Sequence, residues 1–159
     1  MRTLKVTAII KATLAALVLA LAPAIQAEEP VLSELNLADH AGKVVVLDFW
    51  ASWCGPCRRS FPWLNEMHNK YGPDGLVIIG VNLDASRDDA MDFLDEIPAD
   101  FHIYFDEDAV LATEYGVEAM PSSFVIGRDG ELRASHRGFK VKQEAEYEAI
   151  LVEALGETQ

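Results

Sequence analysis

Residues 44–59 read V-V-V-L-D-F-W-A-S-W-C-G-P-C-R-R, an apolar run that ends in the only two cysteines of the 159-residue chain. The run opens with β-branched residues and is too short for a typical helix, so it reads as a strand buried on both faces. Gly55 and Pro56 make a tight passage, and a helical pattern follows Cys57, which puts Cys54 at the helix entrance and Cys57 about one turn inside. This C-x-x-C spacing brings two thiols within bonding reach. The unpaired N–H groups and dipole of a helix N-terminus favour a thiolate there, so Cys54 is the candidate nucleophile.

Three plainer readings compete. A structural disulfide usually closes a longer loop, and a bridge across two residues constrains little chain. Zinc needs further ligands, yet there is no second C-x-x-C, and His40, His68, His102 and His136 are scattered without ligand spacing; no metal or other cofactor is expected. A peroxide-reducing cysteine normally lacks a partner two residues on, whereas Cys57 is placed to resolve a mixed disulfide. Dithiol exchange fits the pair best.

The segment D-F-W-A-S-W-C-G-P-C resembles the active-site segment of thioredoxins. Pro62, five residues after Cys57, matches the proline that kinks the active-site helix of that superfamily, and Met120-Pro121 in G-V-E-A-M-P-S-S-F-V-I resembles its cis-proline segment. The W-C-G-P-C-R-R-S-F-P run, an export-like N-terminus and an extra stretch between Asp84 and His102 make the chain similar to the exported TlpA/ResA branch. The resemblance covers most of the chain after about Gly42. It implies a thioredoxin fold with an inserted helix between Asp84 and His102. It also implies a substrate-binding rim of Trp53, Gly55, Pro56, Met120 and Pro121, and Asp48 as acceptor of the Cys57 proton. Without it, Asp48 reads equally well as a strand-end carboxylate in water. Exported relatives commonly carry Asn on this strand and an acidic residue in a C-x-x-C-x-x-E-x-P helix; Asp48 and Ser60 stand here instead, closer to a general thioredoxin. That departure weakens any transfer of the branch's narrow clients, cytochrome c maturation included.

Arg2, Lys5 and Lys11 precede a largely apolar stretch from Ala12 to Ala22, and Ala24-Ile25-Gln26-Ala27 offers small residues for cleavage. Residues 1–27 thus read as a secretory signal peptide, or as an uncleaved anchor if Lys11 snorkels. Residues 28–42 form an arm of open structure, and 43–159 one thioredoxin-like domain. The expected location is the periplasm, or the inner membrane facing it if the segment stays attached.

The N-terminal segment holds three of the 13 basic residues and no acidic ones, so its removal makes the chain more negative than its net −13. Such a surface argues against nucleic acid and anionic lipid. The expected partners are exported proteins bearing disulfides or thiols, with a membrane electron donor; membrane contact requires the N-terminal segment.

Downstream, Phe61, Leu64, Met67 and Tyr71 recur at helical spacing until Gly72-Pro73-Asp74-Gly75. Leu76 to Leu83 reads as a second interior strand. Ser86-Arg87-Asp88-Asp89 looks like a capping box before a helix with Ala90, Phe93, Leu94 and Ile97 on one face. His102–Phe105 is a short strand, Asp108–Tyr115 a helix closed by Gly116, and Ser122–Ile126 with Glu131–His136 a hairpin. The last helix carries Tyr147, Ile150, Leu151, Ala154 and Leu155, with Gly156 as its cap. The order is β-α-β-α-β-α-β-β-α, an α/β mixed sheet with helices on both faces.

Two functional classes follow. The first is an exported thiol-disulfide oxidoreductase, chiefly a reductase because thioredoxin with Gly-Pro between its cysteines sits at about −270 mV against roughly −120 mV for the oxidant DsbA; an oxidase or isomerase would use the same residues. The second is a redox-inert binding module that holds extended chains at Pro121.

Overall fold

The computed structural model of the chain describes residues 31, 32 and 34–157; the expected signal segment lies outside them. Six strands form one sheet: β1 (Val31–Leu32), β2 (Val44–Trp50), β3 (Leu76–Asn82), β4 (His102–Phe105), β5 (Ser122–Ile126) and β6 (Leu132–Arg137). Their spatial order is β1-β4-β3-β2-β5-β6. β2, β3, β4 and β1 run parallel, β5 pairs antiparallel with β2, and β6 pairs antiparallel with β5. Helices α1 (Cys57–Tyr71), α2 (Arg87–Glu96), α3 (Val110–Glu114) and α4 (Glu144–Gly156) complete the fold, α2 being the helix expected between Asp84 and His102.

The continuous apolar character of β2 has a direct cause, since all seven of its residues are buried. Val44, Val46 and Trp50 join the core that contains Phe61 and Leu64 of α1, Phe93 of α2 and Leu151 of α4. Val45, Leu47 and Phe49 face the opposite core, with Ala112 of α3. Phe61 anchors α1 by meeting Trp50, Phe93 and Phe101 with ring centroids 4.9 to 5.2 Å apart, contacts that each contribute about 0.5–1.5 kcal/mol beyond buried area. Trp50 is fully buried. Trp63 is half-buried against Phe139 and Tyr147.

Several local expectations are corrected. α1 is assigned from Cys57 with Pro56 (φ −62°) at its cap position, while the first bond of its ladder, Arg58 N–H to Cys54 O at 3.3 Å, reaches back to Cys54 at the entrance. Proline suits this place because the first helical N–H groups lack partners anyway. Ser86 is the α2 cap residue by backbone geometry, but its side chain makes no capping hydrogen bond; Asp89 is a methylene shorter than the Glu that a reciprocal box uses. Gly156 ends α4 as a helical residue, with the extended Glu157 as cap.

α3 begins at Val110 because Ala109 turns left-handed, with φ 52°. Buried Asp106 enforces that start: its carboxylate accepts from the backbone N–H groups of Val110, Leu111 and Ala112 at 2.9, 3.2 and 2.8 Å. Asp106→Ala should therefore lower stability by about 1–2 kcal/mol, the scale of a lost helix cap, as read from urea unfolding; an unchanged midpoint would mean that water replaces the cap without loss.

The arm also acquires structure. β1 pairs in parallel with β4, with Val31 opposite Ile103, and Leu37–His40 forms a 3-10 turn capped by the Asn36 side chain.

Candidate functional site

Cys54 and Cys57 are joined as a disulfide with Cα atoms 5.3 Å apart. The turn between β2 and α1 holds them: Cys54 N–H donates to Ala51 O at 3.0 Å, and Cys57 N–H lies 3.2 Å from Cys54 Sγ. That donor, at the head of a helix, is the kind of group that stabilises a sulfur anion at Cys54. Cys54 is 4% exposed and Cys57 fully buried, so an incoming substrate meets Cys54 first. Trp53 stands beside them 73% exposed, Gly55 is exposed, and Pro56 and Met120 are half-buried. The Met120-Pro121 bond is cis, and Pro121 itself is buried.

Asp48 lies inside β2, 1% exposed, on the face between Val46 and Trp50 that α1 covers. The exposed strand-end reading is thus excluded. Ser123 Oγ–H donates to its Oδ1 at 2.5 Å, while its Oδ2 has no protein partner. Burial pushes the Asp48 carboxyl up to about 7, against the smaller downward pull of the Ser123 hydrogen bond. A group poised near neutrality both takes and releases a proton under working conditions.

Ser60 is buried and bonds its own helix, donating from Oγ to Cys57 O at 3.1 Å. Asp48 is a buried carboxyl that alternates along β2 with Val46 and Trp50, residues that share a core with Cys54 and Cys57.

The sequence reading missed three residues that shape this region. Ser123 pairs with Asp48 across 75 positions. Gly80 stands opposite Asp48 on β3 and so offers it no side chain directly across; a Cβ there would come within 3.0 Å of Ile103 Cδ1 and Phe101 Cε2 and 3.1 Å of Trp50 Nε1. Asp84, read only as a strand boundary, is 3% exposed. It accepts from Ser52 N–H and Ser52 Oγ–H, both at 2.8 Å, and from Asn82 Nδ2 at 2.7 Å. These bonds fasten the loop that carries Trp53 and Cys54 to the end of β3. Only strand register reveals such pairings.

Comparison with known proteins agrees with this geometry. The family described as Redoxin matches residues 20–151. Thiol-disulfide oxidoreductase ResA of Bacillus thuringiensis subsp. konkukian is 32% identical over 113 residues, 71% of this chain, and ResA of Geobacillus kaustophilus shows the same identity and coverage; the chain spans 65% of the length of each. Among solved structures, a provisionally assigned thiol:disulfide interchange protein DsbE from Chlorobium tepidum is 48% identical, with a TM-score of 0.74 over 76% of this chain and 85% of its own. StoA from Bacillus subtilis shares the fold at a TM-score of 0.61 and 24% identity, over 70% of this chain and 84% of its own. The chain belongs to the Redoxin family, in the TlpA/ResA-like branch of the thioredoxin superfamily.

Proposed function

We propose that this chain is a thiol-disulfide oxidoreductase that acts mainly as a reductase of protein disulfides outside the cytoplasm. The observation that carries the reading is the C-x-x-C pair with one shielded and one approachable sulfur, backed by a buried carboxyl of neutral pKa.

In the reduced protein the Cys54 thiolate attacks a substrate disulfide, forming one S–S bond as the other breaks and a substrate thiolate leaves. Cys57 then gives its proton to the Asp48 carboxylate and its thiolate attacks Cys54 Sγ. The internal disulfide forms, the second substrate thiolate departs and takes up a proton, and two electrons have passed to the substrate. The oxidised arrangement of Cys54 and Cys57 is the end point of that cycle, and a dithiol donor returns it to the start. Exposed Trp53, with Gly55, Pro56, Met120 and Pro121, forms the rim against which an extended substrate segment lies.

Export rests on the N-terminal segment; among the described residues no helix is long and apolar enough to cross a membrane. N-terminal sequencing of the envelope-fraction protein checks it: a start near Glu28 marks release, an intact Met1 end in membranes marks the anchor.

The decisive test is insulin reduction with dithiothreitol, run beside a Cys57→Ser trap. The wild type should accelerate precipitation and the trap should accumulate substrates on Cys54. Absence of both would leave the binding-module reading standing. Equilibration with glutathione decides direction, a potential near that of the oxidant DsbA overturning the reductase assignment.

A further inference from the structure

Asp48 must lose the proton it takes from Cys57 before it can serve again, yet the carboxyl is 1% exposed. The sheet register supplies a line of groups from it to the edge. Asp48 on β2 stands opposite Ser123 on β5, and Ser123 stands opposite His136 on β6. Directly opposed residues on antiparallel strands share a face, with Cβ atoms about 4.5–5.5 Å apart. The first gap is closed by the Ser123 Oγ–H to Asp48 Oδ1 hydrogen bond. Beside the second lies a small cavity of about 10 Å³ that Ser123, His136 and Tyr147 line along with Val46, Val125 and Leu151; one water molecule needs about that much room. β6 is the last strand of the sheet, and His136 on it is half-exposed, its ring stacked on Tyr147 at 4.6 Å.

We infer that Ser123 and His136 form the route by which the buried Asp48 exchanges its proton with solvent, His136 being the outer acceptor and Ser123 the positioning hydroxyl between them. This rests on the reading of Asp48 as the base that serves Cys57. A hydroxyl both accepts and donates, so the Asp48 carboxyl passes its proton to Ser123 Oγ, the Ser123 proton moves to a ring nitrogen of His136, and the imidazolium releases it to water. One proton leaves and no electrons move.

The surroundings of His136 suit that task. Burial holds its imidazole below the ordinary histidine value, so the ring is neutral at pH 7 and keeps an acceptor nitrogen. Of the groups that line the cavity, α1 presents Trp63 and Leu64, β2 and β3 present aliphatic side chains, and α4 presents Tyr147. The Tyr147 hydroxyl faces Gln143 Oε1 at 3.4 Å. Across β2 from Ser123, Gly80 gives Asp48 no alternative ionisable partner on β3.

The experiment compares Ser123→Ala, His136→Gln and His136→Ala in steady-state insulin reduction from pH 5.5 to 9, with and without added imidazole, and repeats His136→Gln on the Asp48→Asn background. Each single variant should turn over about tenfold more slowly near neutrality, less than the roughly 10²-fold lower end of direct acid–base assistance because water replaces a shuttle group in part. Imidazole should restore His136→Ala saturably, and His136→Gln should have no additional effect once Asp48 is an amide. A wild-type pH profile in both His136 variants, or a slowed His136→Ala that imidazole leaves slow, overturns the route. If Asp48→Asn alone turns over like the wild type, the base assignment itself falls; slow turnover of Asp48→Asn with wild-type behaviour of the His136 variants removes only the route.

Discussion

Asp48→Asn should slow the resolving step, the attack of Cys57 on a mixed disulfide at Cys54, by roughly 10² to 10⁴-fold at neutral pH. The amide has nearly the shape of the carboxyl, and Ser123 Oγ–H can still donate to its oxygen, so the position of β2 behind the cysteines is preserved. Cys54 is the group that meets the substrate, at 4% exposure against none for Cys57, and its sulfur faces the Cys57 N–H at 3.2 Å. The first attack therefore proceeds at close to its normal rate. Resolution differs because Cys57 is buried and must lose its proton before it attacks, only the thiolate being nucleophilic. With Asp48 present, the rate should climb as the carboxyl ionises through about 7. With Asn, it should climb only where rising pH strips the thiol without help. Stopped-flow measurement of both steps against pH checks this, and matching resolution profiles for the two proteins would make Asp48 a bystander.

How much of this was legible in the chain follows from the range of the interactions involved. The order of strands and helices is written in local patterns: the Val44–Phe49 run, the turn at Gly72–Gly75, the α2 stripe of Ala90 and Phe93. The cysteine pair is equally local, the second cysteine three positions after the first. What stayed hidden depends on register. Ser123 looks like an ordinary residue after a proline until β5 is placed antiparallel to β2, and Gly80 looks like a weak point in a strand until its missing Cβ is set against Phe101 and Trp50.

The short β1 could not be read because two residues carry no period and its partner β4 lies about 70 positions away. The α3 boundary was misplaced for a different reason. Asp106 draws three N–H groups to itself, and Ala109 takes a conformation that its type seldom adopts. Local capping by Asp106, four to six residues upstream of the N–H groups it accepts from, overrode the helical pattern that begins at Asp108.

The same carboxyl governs the pH dependence of stability. In the oxidised protein the cysteines do not titrate, and the difference between wild type and Asp48→Asn cancels the other shifted groups, His136 among them. Its folded value of about 7 stands above the ordinary 3.8, so between those pH values the folded state holds a proton that the unfolded chain has released. Below pH 4 both states are protonated and the group is neutral in its effect. From about pH 4 to 7 stability falls as pH rises, and above 7 the buried charge disfavours folding by about 4 kcal/mol, at roughly 1.4 kcal/mol per unit. Asparagine removes this slope but leaves a buried N–H₂ in place of Oδ2, which has no protein partner, at a pH-independent cost of about 1–3 kcal/mol. Asp48→Asn should thus be less stable than the wild type near pH 4, cross it as pH rises, and exceed it by about 1–3 kcal/mol at pH 8.5. Urea unfolding of both oxidised proteins at pH 4.5, 6.5 and 8.5 reads the crossing. A constant offset across that range would show that Asp48 ionises at its ordinary value in the folded protein, and the kinetic role assigned to it would lose its physical basis.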